Sequence, residues 1–192
     1  MKTITKTIIF FLLILSYSCA KECDARKDIY YNVDEIDKNM LPYNGFDTIT
    51  FVRTSVGDTH TFIGIGKTAN YERTSLSYDC SDYYFRENYS YTFKSNTFYS
   101  PLYIGQYIPE VSISTPTSYI NFQNKFYTGY LYLNETNLDS IVILNRKYYN
   151  TQYISESTSI PANYKIYFNK EYGCLKMILD NGETWELLKY KK

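Results

Sequence analysis

Beyond its first twenty residues the chain alternates apolar and polar side chains with a period of two, the pattern of strands that bury one face. Asn88 to Lys94 is the clearest case, with Tyr89, Tyr91 and Phe93 on one side and Ser90, Thr92 and Lys94 on the other. Asp47 to Thr54 sets Ile49 and Phe51 against Thr48 and Thr50, and Thr59 to Ile65 follows a turn at Gly57 and Asp58, which predicts a hairpin. Further strands are predicted over 98–104, 118–123, 126–133, 140–145 and 147–154, with Pro101, Pro109, Pro116 and Pro161 between them or at their edges. The last hairpins are the best defined. Tyr164 to Lys170 turns through Glu171 to Gly173 into a strand carrying Leu175, Met177 and Leu179, and after Asp180–Gly182 the chain returns with Trp185 and Leu187 on one face. Two stretches break the alternation. Asp34 to Met40 reads as a short helix with Asp34 as its N-cap and Pro42 beyond its end, and Lys67 to Asp82 is polar and irregular, hence a loop.

Composition points the same way. Aromatic residues make up 19% of the chain, with 24 Tyr and 11 Phe, and these residues suit a half-buried pleated surface, so the fold class expected is all-β. The length after an export signal fits one domain with one core. Lys plus Arg equals Asp plus Glu at 20 each, which leaves no basic excess for a phosphate backbone, so nucleic acid is not expected as a partner.

Met1 to Cys19 has a basic start at Lys2 and Lys6, an unbroken apolar run from Ile8 to Leu15 and small or polar residues up to Cys19. That layout directs export, and the run is too short to span a bilayer. Leu15 to Cys19 resembles a relaxed lipobox of bacterial lipoproteins, in which the Cys is diacylated and becomes the new N-terminus. The competing site is ordinary cleavage after Ala20, with Ser18 and Ala20 as the small pair. The first reading divides the chain into a signal peptide at 1–18, a tether at 19–27 and a single β-rich domain at 28–192. It also implies an outer-membrane lipoprotein held to the membrane through Cys19, with the periplasmic and cell-surface faces both open. Cys23, Cys80 and Cys174 allow one disulfide in three pairings, and Cys23 with Cys80 is expected because both lie in polar, surface-like segments.

The run from Tyr167 to Leu188, YFNKEYGCLKMILDNGETWELL, resembles a recurrent ending of small Bacteroidetes-type outer-membrane lipoproteins of unassigned function. Asp139 to Tyr149 and Pro42 to Phe51 look like the same group, while Cys174 departs from the aliphatic residue usual there. Similar endings occur in half-barrel proteins that carry lipoproteins or acyl chains. The resemblance implies a single curved antiparallel sheet or half-barrel with an apolar concave face, and it carries over no catalytic residue.

Chemistry-bearing residues are sparse. His60, flanked by Thr59 and Thr61, reads as a surface side chain on a polar face, without a nucleophile motif nearby. Asp180, Glu183 and Glu186, like Asp79, Asp82 and Glu87, read as solvated turn acids rather than a paired-carboxylate site. One histidine and widely spaced cysteines argue against a metal, and no cofactor is expected. Tyr83, Tyr84 and Trp185 are the candidate surface aromatic contacts. Thr48 and Ser140, each between Asp and Ile, match a short pattern at which exported Bacteroidetes proteins are O-glycosylated. The function expected is a non-enzymatic, lipid-anchored envelope protein that holds an acyl chain or an extended peptide on a concave sheet face. The alternatives are a surface module that binds a glycan or an envelope protein through exposed Tyr and Trp, and an unrecognised hydrolase.

Overall fold

The computed structural model describes residues 27–39, 41–74, 82–107, 117–129, 137–155 and 164–192. Cys19, Cys23 and Cys80 lie outside these residues. The described part is 69% strand, in one strongly curled antiparallel sheet that forms a half-barrel. Its first half comprises β1 (Asp28–Tyr31), β2 (Thr48–Arg53), β3 (Asp58–Thr74), β4 (Tyr83–Lys94), β5 (Leu102–Tyr107), β6 (Thr117–Phe122) and β7 (Lys125–Gly129). The second half comprises β8 (Asn137–Ile143), β9 (Arg146–Ser155), β10 (Lys165–Asn169), β11 (Gly173–Ile178) and β12 (Thr184–Lys191). The strand order is β7-β6-β5-β4-β3-β2-β12-β11-β10-β9-β8, so β12 closes against β2 and joins the two halves. β1 stands apart, pairing in parallel with the start of β4.

The hairpin predicted over 47–65 is present as β2 and β3, in register from Thr48–Ile63 to Arg53–Asp58. The loop read over 67–82 is corrected as far as Thr74. There β3 continues beyond a bulge at Ile65 and pairs with β4 from Lys67–Tyr91 to Thr74–Tyr84. Residues Lys67 to Arg73, an arm of β3 that runs past β2 and pairs with β4 alone, are exposed, and a strand wet on both faces has no reason to alternate. The helix expected over 34–40 is reduced to one turn, α1 (Glu35–Lys38).

The inner face of the curl holds the core, including Ile49, Phe51, Phe62, Phe93, Ile104, Phe122, Met177 and Leu187. Burying each such side chain stabilises the fold by about 1.5–3 kcal/mol. Trp185, expected at the surface, is corrected: it is 0% exposed, because its register opposite Met177 and Arg53 turns the indole inward at the middle of the sheet. Residues 44–47 lie against the bulge in β3, where Gly64 N–H donates to the Asp47 carbonyl and Gly66 N–H to that of Gly45. A side chain on Gly64 would collide with the Gly45 carbonyl. Asp47 is fully buried and accepts from the N–H groups of Asn44 (2.6 Å) and Gly45 (3.1 Å) and from the Tyr190 hydroxyl (3.1 Å).

Two hairpins turn on two residues with positive φ, Gln123–Asn124 (54° and 61°) and Leu144–Asn145 (48° and 64°). Such turns match the right-handed twist of the strands, but a left-handed backbone at Leu costs about 1–2 kcal/mol that Asn or Gly largely avoids. Replacing Leu144–Asn145 by Asn–Gly is expected to stabilise the protein by about 1 kcal/mol. A thermal melt checks this through a rise of several degrees in Tm, and an unchanged or lower Tm contradicts the turn assignment.

Candidate functional site

A groove of about 690 Å³ opens over β9. Its origin is local. Asn150 takes a φ of 51° inside β9, and the ladder to β8 runs from Leu138–Thr151 to Ser140–Tyr149 across it. Asn tolerates this conformation better than other non-glycine residues do. On the other side of β9, Asn169 holds the corner between β10 and β11. Its amide donates to the Tyr149 carbonyl (2.5 Å), and its Oδ1 accepts from the N–H groups of Glu171 (2.6 Å) and Tyr172 (3.2 Å). Gly173, with a φ of 75°, completes the corner, and the Tyr43 hydroxyl accepts the next N–H, from Cys174, at 2.6 Å.

The groove is therefore walled by the start of β8 and by the 170–172 corner, with Thr151 and Phe168 buried in its lining. Tyr149 is 60% exposed, and the Lys147 ammonium lies 4.9 Å from the centre of its ring. Tyr172 is fixed by Arg146, whose Nη2 donates to its hydroxyl at 2.6 Å and whose guanidinium lies 4.7 Å from its ring centre. Amides supply the rest of the polar lining. Gln152 Nε2 donates to Asn137 Oδ1 (2.8 Å), and Asn150 is exposed beside them. Exposed aromatic area with fixed amides and a guanidinium can stack on a ring and hydrogen-bond its substituents.

A second polar constellation sits at one end of the half-barrel. His60, read as a surface residue, is corrected: it is 9% exposed and faces inward opposite Phe51, with Phe98 and Trp185 ring centres at 5.1 and 5.4 Å. Its Nε2 lies 2.8 Å from Asp58 Oδ2, and its Nδ1 lies 3.1 Å from Thr97 Oγ1. Arg53 donates to both oxygens of Asp58, at 2.9 and 2.6 Å, and lies 3.4 Å from Glu183. Glu183 also accepts from Gln123 (2.8 Å) and from the Trp185 indole N–H (3.2 Å). Acid, imidazole and hydroxyl thus stand in line, but both carboxylates are engaged by Arg53, and the set ties the β2–β3 turn, the 95–98 loop and the β6–β7 turn together. Glu183 and Asp180, read as solvated, instead fasten β7 and its turn to the far half of the sheet. Asp180 accepts from Lys125 (2.6 Å) and the Tyr127 hydroxyl (3.3 Å).

No family model, curated protein or solved structure matches the chain. The likeness of the 167–188 run to lipoprotein endings therefore stands on its residues alone.

The structure distributes the other sequence candidates. Tyr83 and Tyr84 are half-buried in β4, Tyr83 beneath the Arg73 guanidinium at 3.6 Å and Tyr84 tilted against Tyr31 at 6.0 Å. Thr48 is half-buried in β2, between Ile63 and Lys191, and its neighbour Asp47 is buried and engaged. Ser140 is half-buried in β8, opposite Tyr149 and near the groove. Cys174 is fully buried with a free thiol, and burial pushes its pKa up. Sequence reasoning missed Asn150, Asn169 and Arg146. The spacing of NRKYYN and of FNKEY offered a signal only in the turn-forming Asn at 145 and 169.

Asp58 carries a pH consequence. The hydrogen bonds from Arg53, then that from His60, lower its pKa to about 2 from an ordinary 3.8. At Glu183 burial works upward, but Gln123, Trp185 and Arg53 outweigh it and the pKa is lowered, and at Asp180 the Lys125 hydrogen bond lowers it. A carboxyl with a depressed folded pKa contributes stability that is complete above its unfolded value and is lost as pH falls through the folded one. Denaturant unfolding between pH 7 and pH 2 is expected to show a steady stability above about pH 5 and a decline toward about pH 2. Asp58→Asn is expected to shallow that decline, and an identical acid limb in variant and wild type contradicts the assignment.

Proposed function

We propose that this chain is a lipid-anchored, non-enzymatic binding module of a bacterial outer membrane, and that the groove over Asn150 receives a saccharide. That one groove is lined by the exposed Tyr149, by the paired amides of Asn137 and Gln152 and by Arg146 carries this reading. Tyr149 supplies the apolar platform for a sugar face, Asn137, Asn150 and Gln152 supply paired donors and acceptors, and Arg146 holds the Tyr172 wall in place. An acyl chain on the inner face is the weaker reading. Phe51, Phe62, Phe93, Phe122 and Trp185 fill that face at 0% exposure, so a chain would have to displace the core. Acylation of Cys19 would hold the body at the membrane through two or more chains, which is durable where one chain is marginal.

Each part has its own test. Affinity electrophoresis in gels containing neutral or acidic polysaccharides is expected to retard the wild type on at least one of them. Tyr149→Ala should weaken that retardation at least tenfold with an unchanged melting temperature, and equal retardation of the two proteins contradicts the groove. For the anchor, Cys19→Ala is expected to abolish metabolic fatty-acid labelling and to release the protein from the membrane fraction. Unchanged labelling and retention contradict it.

A further inference from the structure

Four lysines from four separate parts of the chain line one cleft of about 310 Å³ next to the groove: Lys38 on α1, Lys67 on the arm of β3, Lys170 at the β10–β11 corner and Lys192 after β12. Their acidic neighbours do not balance them. Glu87 is engaged by Lys38 (3.0 Å) and by the Val33 N–H (2.9 Å), and Glu35, 3.5 Å from Lys38, is a rim residue with its side chain 82% exposed. Among the described residues no ion pair joins Lys67, Lys170 or Lys192 to an acid. The Lys67 ammonium lies 4.9 Å from the Tyr89 ring centre and 5.7 Å from that of Tyr91, and Lys38 lies 6.0 Å from Tyr89, so two cations share one aromatic floor.

Like charges gathered in a concave site raise the local potential and favour an anion that neutralises them. In a chain with equal numbers of acidic and basic residues, this excess is a local arrangement and not a general property of the surface. Lys170 lines both the cleft and the groove, where Asp139 and Glu171 offset Arg146 and Lys147, so the unbalanced charge lies in the cleft. We infer that Lys38, Lys67, Lys170 and Lys192 form an anion subsite that takes the carboxylate, sulfate or phosphate of an acidic saccharide whose neighbouring ring lies in the groove. The saccharide part rests on the groove reading, and the anion subsite stands on the lysines alone.

Isothermal titration of the purified protein with oligogalacturonate, a neutral maltooligosaccharide, inorganic phosphate and phosphatidylglycerol vesicles separates the possibilities. Oligogalacturonate is expected to bind at least tenfold more tightly than the neutral oligomer, and only its affinity should fall steeply with salt. Lys67→Gln with Lys192→Gln, two exposed substitutions, should remove that preference, while Tyr149→Ala should weaken both oligomers and spare weak phosphate binding. Equal binding of the charged and neutral oligomers, or no effect of the lysine variant, overturns the subsite and leaves the groove. Lysine-dependent phosphate binding with no saccharide bound keeps the subsite and overturns the groove. Lysine-dependent binding to the vesicles but not to oligogalacturonate overturns the saccharide assignment.

Discussion

The structure depends on one packing event, the meeting of the two halves of the sheet around a single inward indole. Trp185 stands on β12, the strand that joins the halves, and its ring meets His60 from β3, Phe98 from the 95–98 loop and Phe122 from β6 at 5.1–5.4 Å. These rings pack edge-on or tilted, the arrangement that aromatic quadrupoles favour. A long twisted sheet tends to curl or split rather than stay flat, and here the curl is fixed by what fills it. Polar contacts then hold the seam. Arg53 and Glu183 rim the indole, and Tyr164 both donates to the Thr128 carbonyl (2.6 Å) and accepts its N–H (3.2 Å), which occupies the backbone of edge strand β7.

With the inner face filled in this way, the proposed recognition falls to the outer surface. A half-barrel kept hollow can take an apolar chain, whereas this one closes on its own phenylalanines. On the second half of the sheet, a left-handed Asn150 and a corner pinned by Asn169 border a polar, aromatic groove. Neither residue is a reactive group. Both act on the backbone next to the exposed Tyr149.

Much of the fold was legible in the chain, and particular residues show where legibility ended. Period-two alternation located β2, the body of β4 and the final hairpins, because those strands have one dry face. The same rule applied to His60 gives the inward orientation: Thr59 and Thr61 alternate with it, and Phe62 two residues on shares its face. It was the polarity of the neighbours, rather than their phase, that suggested a surface position. Trp185 shares a face with Leu187, and an inward indole follows once β12 is central. The arm from Lys67 to Thr74 could not be read, since a strand exposed on both faces carries no alternation. The groove and the lysine cleft were beyond reach for a different reason. They depend on a dihedral at Asn150 and on four residues spread from 38 to 192, and neither leaves a local pattern.

In the proposed reading the interior is closed and a ligand is met outside it, and amide and indole NMR on the labelled protein tests this most directly. Addition of a short-chain fatty acid is expected to leave the Trp185 indole resonance and the amides of Phe51, Phe62 and Phe122 unmoved, while an acidic oligosaccharide shifts those of Tyr149, Asn150 and 170–172. A fatty acid that shifts the Trp185 indole and the amides around it, with the groove unchanged by any saccharide, would contradict the account.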